Sequence, residues 1–148
     1  MPRNVAVDST PGKYLQEISV GAHVIEADEP RDLGGNDAGP NPYELLLGAL
    51  GACTSITVRM YAERKQWPLE RVRIGLSYAR VHTEDCAKCE TEARMIDQIE
   101  MEISFVGDLS DEQRGRLMEI ANKCPVHRTL TSRVQIRSRM TSEGESAR

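Results

Sequence analysis

Aromatic side chains are scarce in this sequence, and their scarcity narrows the functions that it can serve. They make up 4% of the 148 residues, with one Trp and one Phe. Proteins that bind single-stranded nucleic acid stack bases on aromatic rings, and proteins that bind duplexes present a basic stripe. Here acidic and basic residues are interspersed, and the net charge is −4. We therefore expect no nucleic-acid partner.

Long apolar segments are also lacking. The N-terminal sequence MPRNVAVDSTPGK has no apolar core of the kind that a signal peptide needs. The uncharged run at residues 45–58 falls short of the roughly 20 residues that a membrane span requires. We therefore expect a cytoplasmic protein with no membrane partner.

Cysteine is rare as well, but its four positions are informative: Cys53, Cys86, Cys89 and Cys124. In a reducing compartment, cysteines serve catalysis, redox chemistry or metal binding more often than structural disulfides. Each of them could instead be a small buried apolar residue. The sequence around each cysteine distinguishes these alternatives.

Residues 41–67 predict one long helix around which the rest of the chain is organised. Asn41 is its N-cap, Pro42 its first helical residue and Glu44 the capping partner. At about 100° per residue, apolar side chains gather around Cys53 on one face and small ones lie opposite. The apolar face contains Leu46, Ala49, Leu50, Ile56, Thr57 and Met60, and the small face contains Gly48, Gly51, Ser55 and Ala62. We therefore expect the helix to be buried on both sides, with Cys53 inside a core.

The pattern on either side of this helix predicts an α+β domain. Residues 1–12 are assigned to an N-terminal arm, and residues 14–20 and 22–27 to a hairpin. The loop DEPRDLGGNDAGP follows, and it can bring backbone amides and its one cation, Arg31, near the helix. A flexible surface connector is the alternative for this loop.

Two strands with alternating apolar residues, at 71–81 and 99–105, come after the helix. Antiparallel pairing would place Arg71 and Arg73 near Glu100 and Glu102. A second helix is expected after Ser110, with Gln113 as capping partner, and a final strand around Val134 and Ile136. We assign residues 13–140 to a single domain and expect residues 141–148 to be disordered.

Cys124 stands at the end of the second helix, directly before a proline. Because Pro125 cannot continue that helix, it is expected to start a new helical turn, VHRTL. The amides of this turn point toward the Cys124 sulfur, with His127 and Arg128 close by. Cys53 has no such local source of positive charge, so its activation must come from elsewhere in the fold.

A separate segment, HTEDCAKCETEARM, holds the C-x-x-C sequence. His82, Cys86 and Cys89 could supply three zinc ligands, with a fourth from Glu84, Asp85, Glu90 or a partner chain. The two cysteines could also act as an additional dithiol, or the segment could be a plain loop.

The motifs PRDLGG, GPNPYELLLGALGACT and NKCPVHRTL together resemble the OsmC/Ohr family of thiol-dependent hydroperoxide reductases, over residues 14–136. The resemblance implies an OsmC-like fold, with antiparallel or mixed sheets around a long central helix in an intertwined homodimer. It also implies that Cys53 attacks an organic hydroperoxide and forms a disulfide with Cys124. A dithiol of the lipoyl type would then reduce the disulfide, with no other cofactor required.

Two positions depart from the pattern of that family. Tyr43 occupies the place of its activating carboxylate, and Glu44, one residue later, is either a substitute or only a helix cap. No arginine stands in the N-terminal hairpin, so Lys13, Arg31 or Arg128 would have to replace it. The alternative function is a non-enzymatic module of the same fold that binds a small apolar ligand or zinc.

Overall fold

The computed structural model describes residues 3–82 and 95–142, which form two compact units. The described part of the first unit contains residues 3–46 and 135–142, and that of the second contains residues 47–82 and 95–134. Helices and antiparallel sheets occur together, which confirms the predicted α+β class. Both sheets are antiparallel, so the mixed alternative is not found in these residues.

The first unit is built on a three-stranded sheet of β1 (Ala6–Ser9), β2 (Gln16–Val20) and β3 (His23–Ala27). Strands β2 and β3 confirm the predicted hairpin. Gly21 at its turn has a φ of 59°, a left-handed conformation that glycine adopts without strain. Strand β1 lies inside the predicted N-terminal arm and pairs with β2, so this part of the arm is fixed in the sheet.

Asp28 organises the loop that follows β3. Its side chain is buried, and its carboxylate accepts hydrogen bonds from the amides of Glu29, Asn36 and Ala38 at 2.8, 3.1 and 3.2 Å. A short 3-10 helix, Arg31–Leu33, lies within this loop. These bonds favour a defined conformation over the flexible connector that the sequence also allowed.

The long helix is confirmed as α1 (Pro42–Lys65), whose first residues belong to the first unit and whose remainder belongs to the second. After it come β4 (Leu69–His82), β5 (Met95–Gly107), α2 (Asp111–Ala121) and α3 (Pro125–Leu130). The core of the second unit joins Val58 and Ala62 of α1 to Leu117 and Ala121 of α2. Ser110 and Gln113 form the predicted capping box of α2.

The two strands β4 and β5 pair through their apolar residues as predicted, with Val72 opposite Phe105 and Ile74 opposite Ile103. The predicted charge pairs do not lie directly opposite each other, because the partners of Arg71, Arg73, Glu102 and Glu100 are Val106, Ser104, Gly75 and Ser77. Arg73 and Glu102 are diagonal neighbours in this register. The register places apolar residues opposite one another, and it is irregular between Leu69 and Arg71.

Within the single chain one side of α1 is buried, whereas the sequence predicts burial on both sides. The buried residues are Leu50, Gly51, Thr54, Val58 and Ala62. A Cβ on Gly51 would lie 2.8 Å from Leu76 Cδ1, so glycine there allows the close packing that was expected. The face predicted to be in the core remains largely exposed, and Ile56 and Met60 on it are each 59% exposed.

By length and composition, α1 is also apolar enough to cross a membrane. In its most apolar 18-residue window, 22% is buried. Val58 and Ala62 nevertheless pack into the core of the second unit, as a core helix does.

The predicted final strand is absent from the described part of the chain. Residues 133–140 are assigned to no strand, and Val134 and Ile136 are 57% and 84% exposed. Alternating apolar residues make a strand possible, but a strand also needs an edge with which to pair. Residues 141–142 are described as exposed, and the remainder of the predicted disordered tail lies outside the described residues.

Candidate active site

Cys53 lies in the middle of α1, at the border between the buried face and the exposed apolar face. Its side chain is partly buried, in contrast to the fully core position that the sequence predicted. Its neighbour Thr54 is completely buried, while the hydroxyl of Thr57 donates to the Cys53 carbonyl oxygen at 2.7 Å. Cys53 is therefore the more exposed of the two described cysteines, since Cys124 is buried.

Cys124 is completely buried and forms the N-cap of α3. Its backbone is extended, with φ −63° and ψ 149°, and Pro125 occupies the first helical position, as predicted. The Cys124 sulfur accepts a hydrogen bond from the His127 amide at 3.3 Å. A thiol therefore takes the capping place that a Ser, Thr, Asp or Asn oxygen more often fills.

The fold brings the two sulfur atoms into one site. The Val126 amide donates to the Cys53 sulfur at 3.5 Å, although these residues are far apart in sequence. The Cys53 side chain is also near enough to Cys124 to lower the pKa of its thiol. The hydroxyl of Thr54 lies 3.4 Å from the Cys124 sulfur. Both cysteines are free thiols.

The surroundings of Cys124 favour its thiolate. Burial raises the pKa of the Cys124 thiol, because a charge is poorly solvated there. Hydrogen bonds that stabilise the anion outweigh this effect, so the pKa lies below its ordinary value. In order of importance, they come from the Thr54 hydroxyl, the His127 amide, the Cys53 side chain and the Val126 amide.

The cation and carboxylate candidates are distributed over both units. Arg31 is exposed in the 3-10 helix of the first unit, and Arg128 is exposed on α3 in the second. Glu44 belongs to the first unit, where its carboxylate accepts from the Asn41 amide at 2.7 Å. Asn41 Oδ1 in turn accepts from the Glu44 amide at 2.9 Å, which confirms the capping role of Glu44. A role of these three residues in activating Cys53 stays a prediction.

Most of the predicted zinc ligands lie in a part of the chain that the structure does not describe. Cys86 and Cys89 lie outside the described residues, and for His82 only its place at the end of β4 is described. Within residues 3–82 and 95–142, no group of three or more His, Cys, Asp and Glu side chains is placed to hold a metal ion.

Sequence reasoning missed Thr54, although a signal for it was present. A threonine on the buried face of a helix must find a partner for its hydroxyl. The position beside Cys53 makes a sulfur atom a natural partner. Thr54 belongs to neither of the two faces that the helical pattern predicted, so its burial was not expected.

The sequence matches the family described as OsmC-like protein over residues 34–139. A comparison with curated proteins gives no match.

Three solved structures illustrate the similarity in fold. An OsmC-like protein from Mycoplasma pneumoniae is 16% identical, with 88% of this chain and 87% of that chain covered and a TM-score of 0.70. An organic hydroperoxide resistance protein OsmC from Legionella pneumophila is 18% identical, with 88% and 90% covered and a TM-score of 0.64. The organic hydroperoxide resistance protein OhrB of Bacillus subtilis is 15% identical, with 88% and 91% covered and a TM-score of 0.60.

At these identities, the likeness to solved structures establishes the fold alone. The family match adds common descent, because it covers well over half of the chain and includes both Cys53 and Cys124. This chain therefore belongs to the family of OsmC-like proteins.

Proposed function

We propose that this protein is a thiol-dependent peroxidase that reduces organic hydroperoxides and serves in defence against oxidative stress. The observation that carries the proposal is that two free thiols, one on a partly exposed residue of α1 and one buried at the start of α3, accept hydrogen bonds from neighbouring amides of α3, Val126 to Cys53 at 3.5 Å and His127 to Cys124 at 3.3 Å. Similar folds in the Legionella and Bacillus proteins, which are described as organic hydroperoxide resistance proteins, support it.

In the first step, the Cys53 thiolate attacks the distal oxygen of the hydroperoxide. The O–O bond breaks, an S–O bond forms, and the leaving alkoxide takes up a proton to become an alcohol. Cys53 becomes a sulfenic acid, oxidised by two electrons. Cys53 suits this role better than Cys124, because the Cys53 residue is partly exposed and Cys124 is buried. The Val126 amide supports negative charge on the Cys53 sulfur.

In the second step, the Cys124 thiolate attacks the sulfenic sulfur. A disulfide forms between the two residues, and hydroxide leaves and is protonated to water. The lowered pKa of Cys124 favours this step at neutral pH, since the thiolate is the attacking species. An external dithiol of the lipoyl type then reduces the disulfide by two electrons and becomes a cyclic disulfide itself.

The proposal includes a cytoplasmic homodimer in which a second copy covers the exposed face of α1. Activation of Cys53 by a cation is also part of it, with Arg31, Arg128 or Lys13 as candidates and Glu44 as a candidate carboxylate. Metal analysis tests zinc binding by His82, Cys86 and Cys89, and the peroxidase reaction does not depend on that site.

The experiment compares the wild type with Cys53→Ser, Cys124→Ser and a Cys86→Ser/Cys89→Ser double variant. We expect the wild type to consume cumene hydroperoxide with a dithiol as reductant, and peptide mapping to find a Cys53–Cys124 disulfide. Cys53→Ser should lose the activity, and Cys124→Ser should stop at a sulfenic acid that dimedone traps. The double variant should retain the activity. Undiminished turnover in Cys53→Ser would refute the mechanism.

A further inference from the structure

The hydroxyl of Thr54 lies in the interior of the second unit between two sulfur atoms. Thr54 has no exposed surface, and its Oγ1 lies 3.4 Å from Cys124 Sγ and 4.0 Å from Met101 Sδ. Thr54 is on the buried face of α1, and Met101 is on β5. Since Cys53 is the preceding residue, the hydroxyl is attached directly to the segment that carries the other reacting sulfur.

A hydroxyl in this place can serve both protonation states of Cys124. It has one hydrogen to donate and two lone pairs to accept. Toward the neutral thiol it can accept the S–H hydrogen and donate its own to the Met101 thioether, a weak acceptor. Toward the thiolate it must donate, and a hydrogen bond to a charged acceptor is about twice as strong as a neutral one. The Thr54 hydroxyl therefore stabilises the Cys124 thiolate more than the neutral thiol.

We propose that Thr54 is a positioning residue for disulfide formation, whose hydroxyl holds the Cys124 sulfur as an anion directed at Cys53. The inference rests on the proposed function, because it assigns Thr54 to the second step of that reaction. In this step the Cys124 thiolate attacks the Cys53 sulfenic sulfur, the S–O bond breaks, and hydroxide departs. Thr54 changes neither its own bonds nor its oxidation state.

The other groups that act on Cys124 cannot be removed in the same way. The Val126 and His127 amides belong to the backbone of α3, and Cys53 is the reaction partner. Among the contacts of Cys124 described above, Cys53 is the titratable group, so the titration of Cys124 is measured with Cys53 replaced by Ser. Thr54 is thus the side chain whose substitution isolates the effect.

The test uses Thr54→Val, which replaces the hydroxyl by a methyl group of similar volume. We expect the Cys124 thiolate to form at higher pH than with Thr54 present; its ultraviolet absorbance is followed in a Cys53→Ser/Cys86→Ser/Cys89→Ser background, in which Cys124 is the one remaining thiol. In the protein with both cysteines, disulfide formation after one equivalent of cumene hydroperoxide should slow about tenfold at neutral pH. Sulfenic acid on Cys53 should form at the wild-type rate and accumulate, so dimedone should trap more of it.

Two further variants separate this role from a structural one. Thr54→Ser keeps the hydroxyl and should restore both the titration and the rate. Thr57→Val removes a nearby hydroxyl that donates to the Cys53 carbonyl oxygen and not to a cysteine sulfur. This variant should change neither the Cys124 titration nor the rate of disulfide formation. Should Thr54→Val fail to fold, Thr54→Ala removes the hydroxyl without adding a methyl group near Cys124.

The outcomes distinguish failure of this inference from failure of the proposed function. An unshifted Cys124 titration in the hydroxyl-free variant overturns the role of Thr54, whether or not the protein reduces peroxides. A shifted titration with unchanged disulfide formation also overturns it. If no hydroperoxide oxidises wild-type Cys53, the proposed function fails, and the positioning role in that reaction fails with it.

Discussion

The buried carboxylate of Asp28 holds the loop of the first unit through three backbone amides. Burial raises the pKa of this carboxyl group, but the hydrogen bonds from Ala38, Glu29 and Asn36 and the charge of Lys13 lower it more. Its pKa therefore lies below the ordinary value. Because the folded state favours the anion, Asp28 stabilises the fold fully above the unfolded pKa, and this contribution is lost as pH falls through the folded pKa.

We expect Asp28→Asn to be less stable than the wild type at neutral pH, because an amide NH₂ cannot accept the bonds that a carboxylate oxygen accepts. The difference in free energy of unfolding between the two proteins should narrow below about pH 4, where the carboxyl group of the unfolded chain begins to bind its proton. Urea unfolding at a series of pH values measures this. Asp32→Asn, at an exposed position in the same loop, is the matched control. Parallel pH profiles for wild type and Asp28→Asn would contradict the explanation.

For single residues, the sequence predicts the local structure at the cysteines better than it predicts which distant side chains contact them. Pro125 and the turn after it were sufficient to place amides at Cys124, because this is a local effect. The contacts of Thr54 with Cys124 and of Asp28 with its loop depend on atoms from distant or irregular segments. Such contacts cannot be predicted from residue type and spacing alone.

Among the helices and strands, α2 has a capping box whose two residues, Ser110 and Gln113, are both predicted from the sequence. Ser110 Oγ accepts from the Gln113 amide at 3.1 Å, and Gln113 Oε1 accepts from the Ser110 amide at 2.9 Å. The helix carries Leu117 and Ala121 into the core and ends shortly before Cys124. The box therefore helps to position the segment that holds the buried thiol.

We expect Ser110→Ala to lower the free energy of unfolding by about 1 kcal/mol, the usual cost of losing an N-cap side chain. Gln113→Ala should cost less, and the double variant should lose less than the sum, because the two bonds support one helical turn. Urea denaturation of the four proteins gives the coupling energy. Strictly additive losses would show that the two bonds act independently.

Elements whose residues interact locally were predicted well, and elements that depend on a distant partner were not. The hairpin, α1, the capping box and the apolar pairing of β4 with β5 follow from turn residues and periodicity. The sequence predicts that α1 is covered on both sides, and because the helix is apolar on most of its circumference, periodicity could not determine which side packs within the single chain. The final strand was wrong because alternation at Val134 and Ile136 does not supply a pairing edge.

At the scale of the whole molecule, the exposed face of α1 in the second unit still needs an explanation. Ala49, Ala52, Ile56 and Met60 lie on this face, and Ile56 and Met60 are each 59% exposed. Contiguous exposed apolar surface in a soluble protein usually marks an interaction site. The homodimer of our proposal would bury this face against a second copy, next to the partly exposed Cys53.

If that dimer forms through α1, Ile56→Lys should weaken it, because a charged side chain would replace an apolar one at the interface. A central interface residue contributes about 2 kcal/mol, so the dissociation constant should rise about thirtyfold. Sedimentation equilibrium over a range of protein concentrations measures this constant. Met118→Lys makes the same kind of change on α2, where the side chain is 39% exposed, and should leave the constant unchanged. A wild type that stays monomeric, or equal dissociation constants for the two variants, would exclude α1 as the dimer contact.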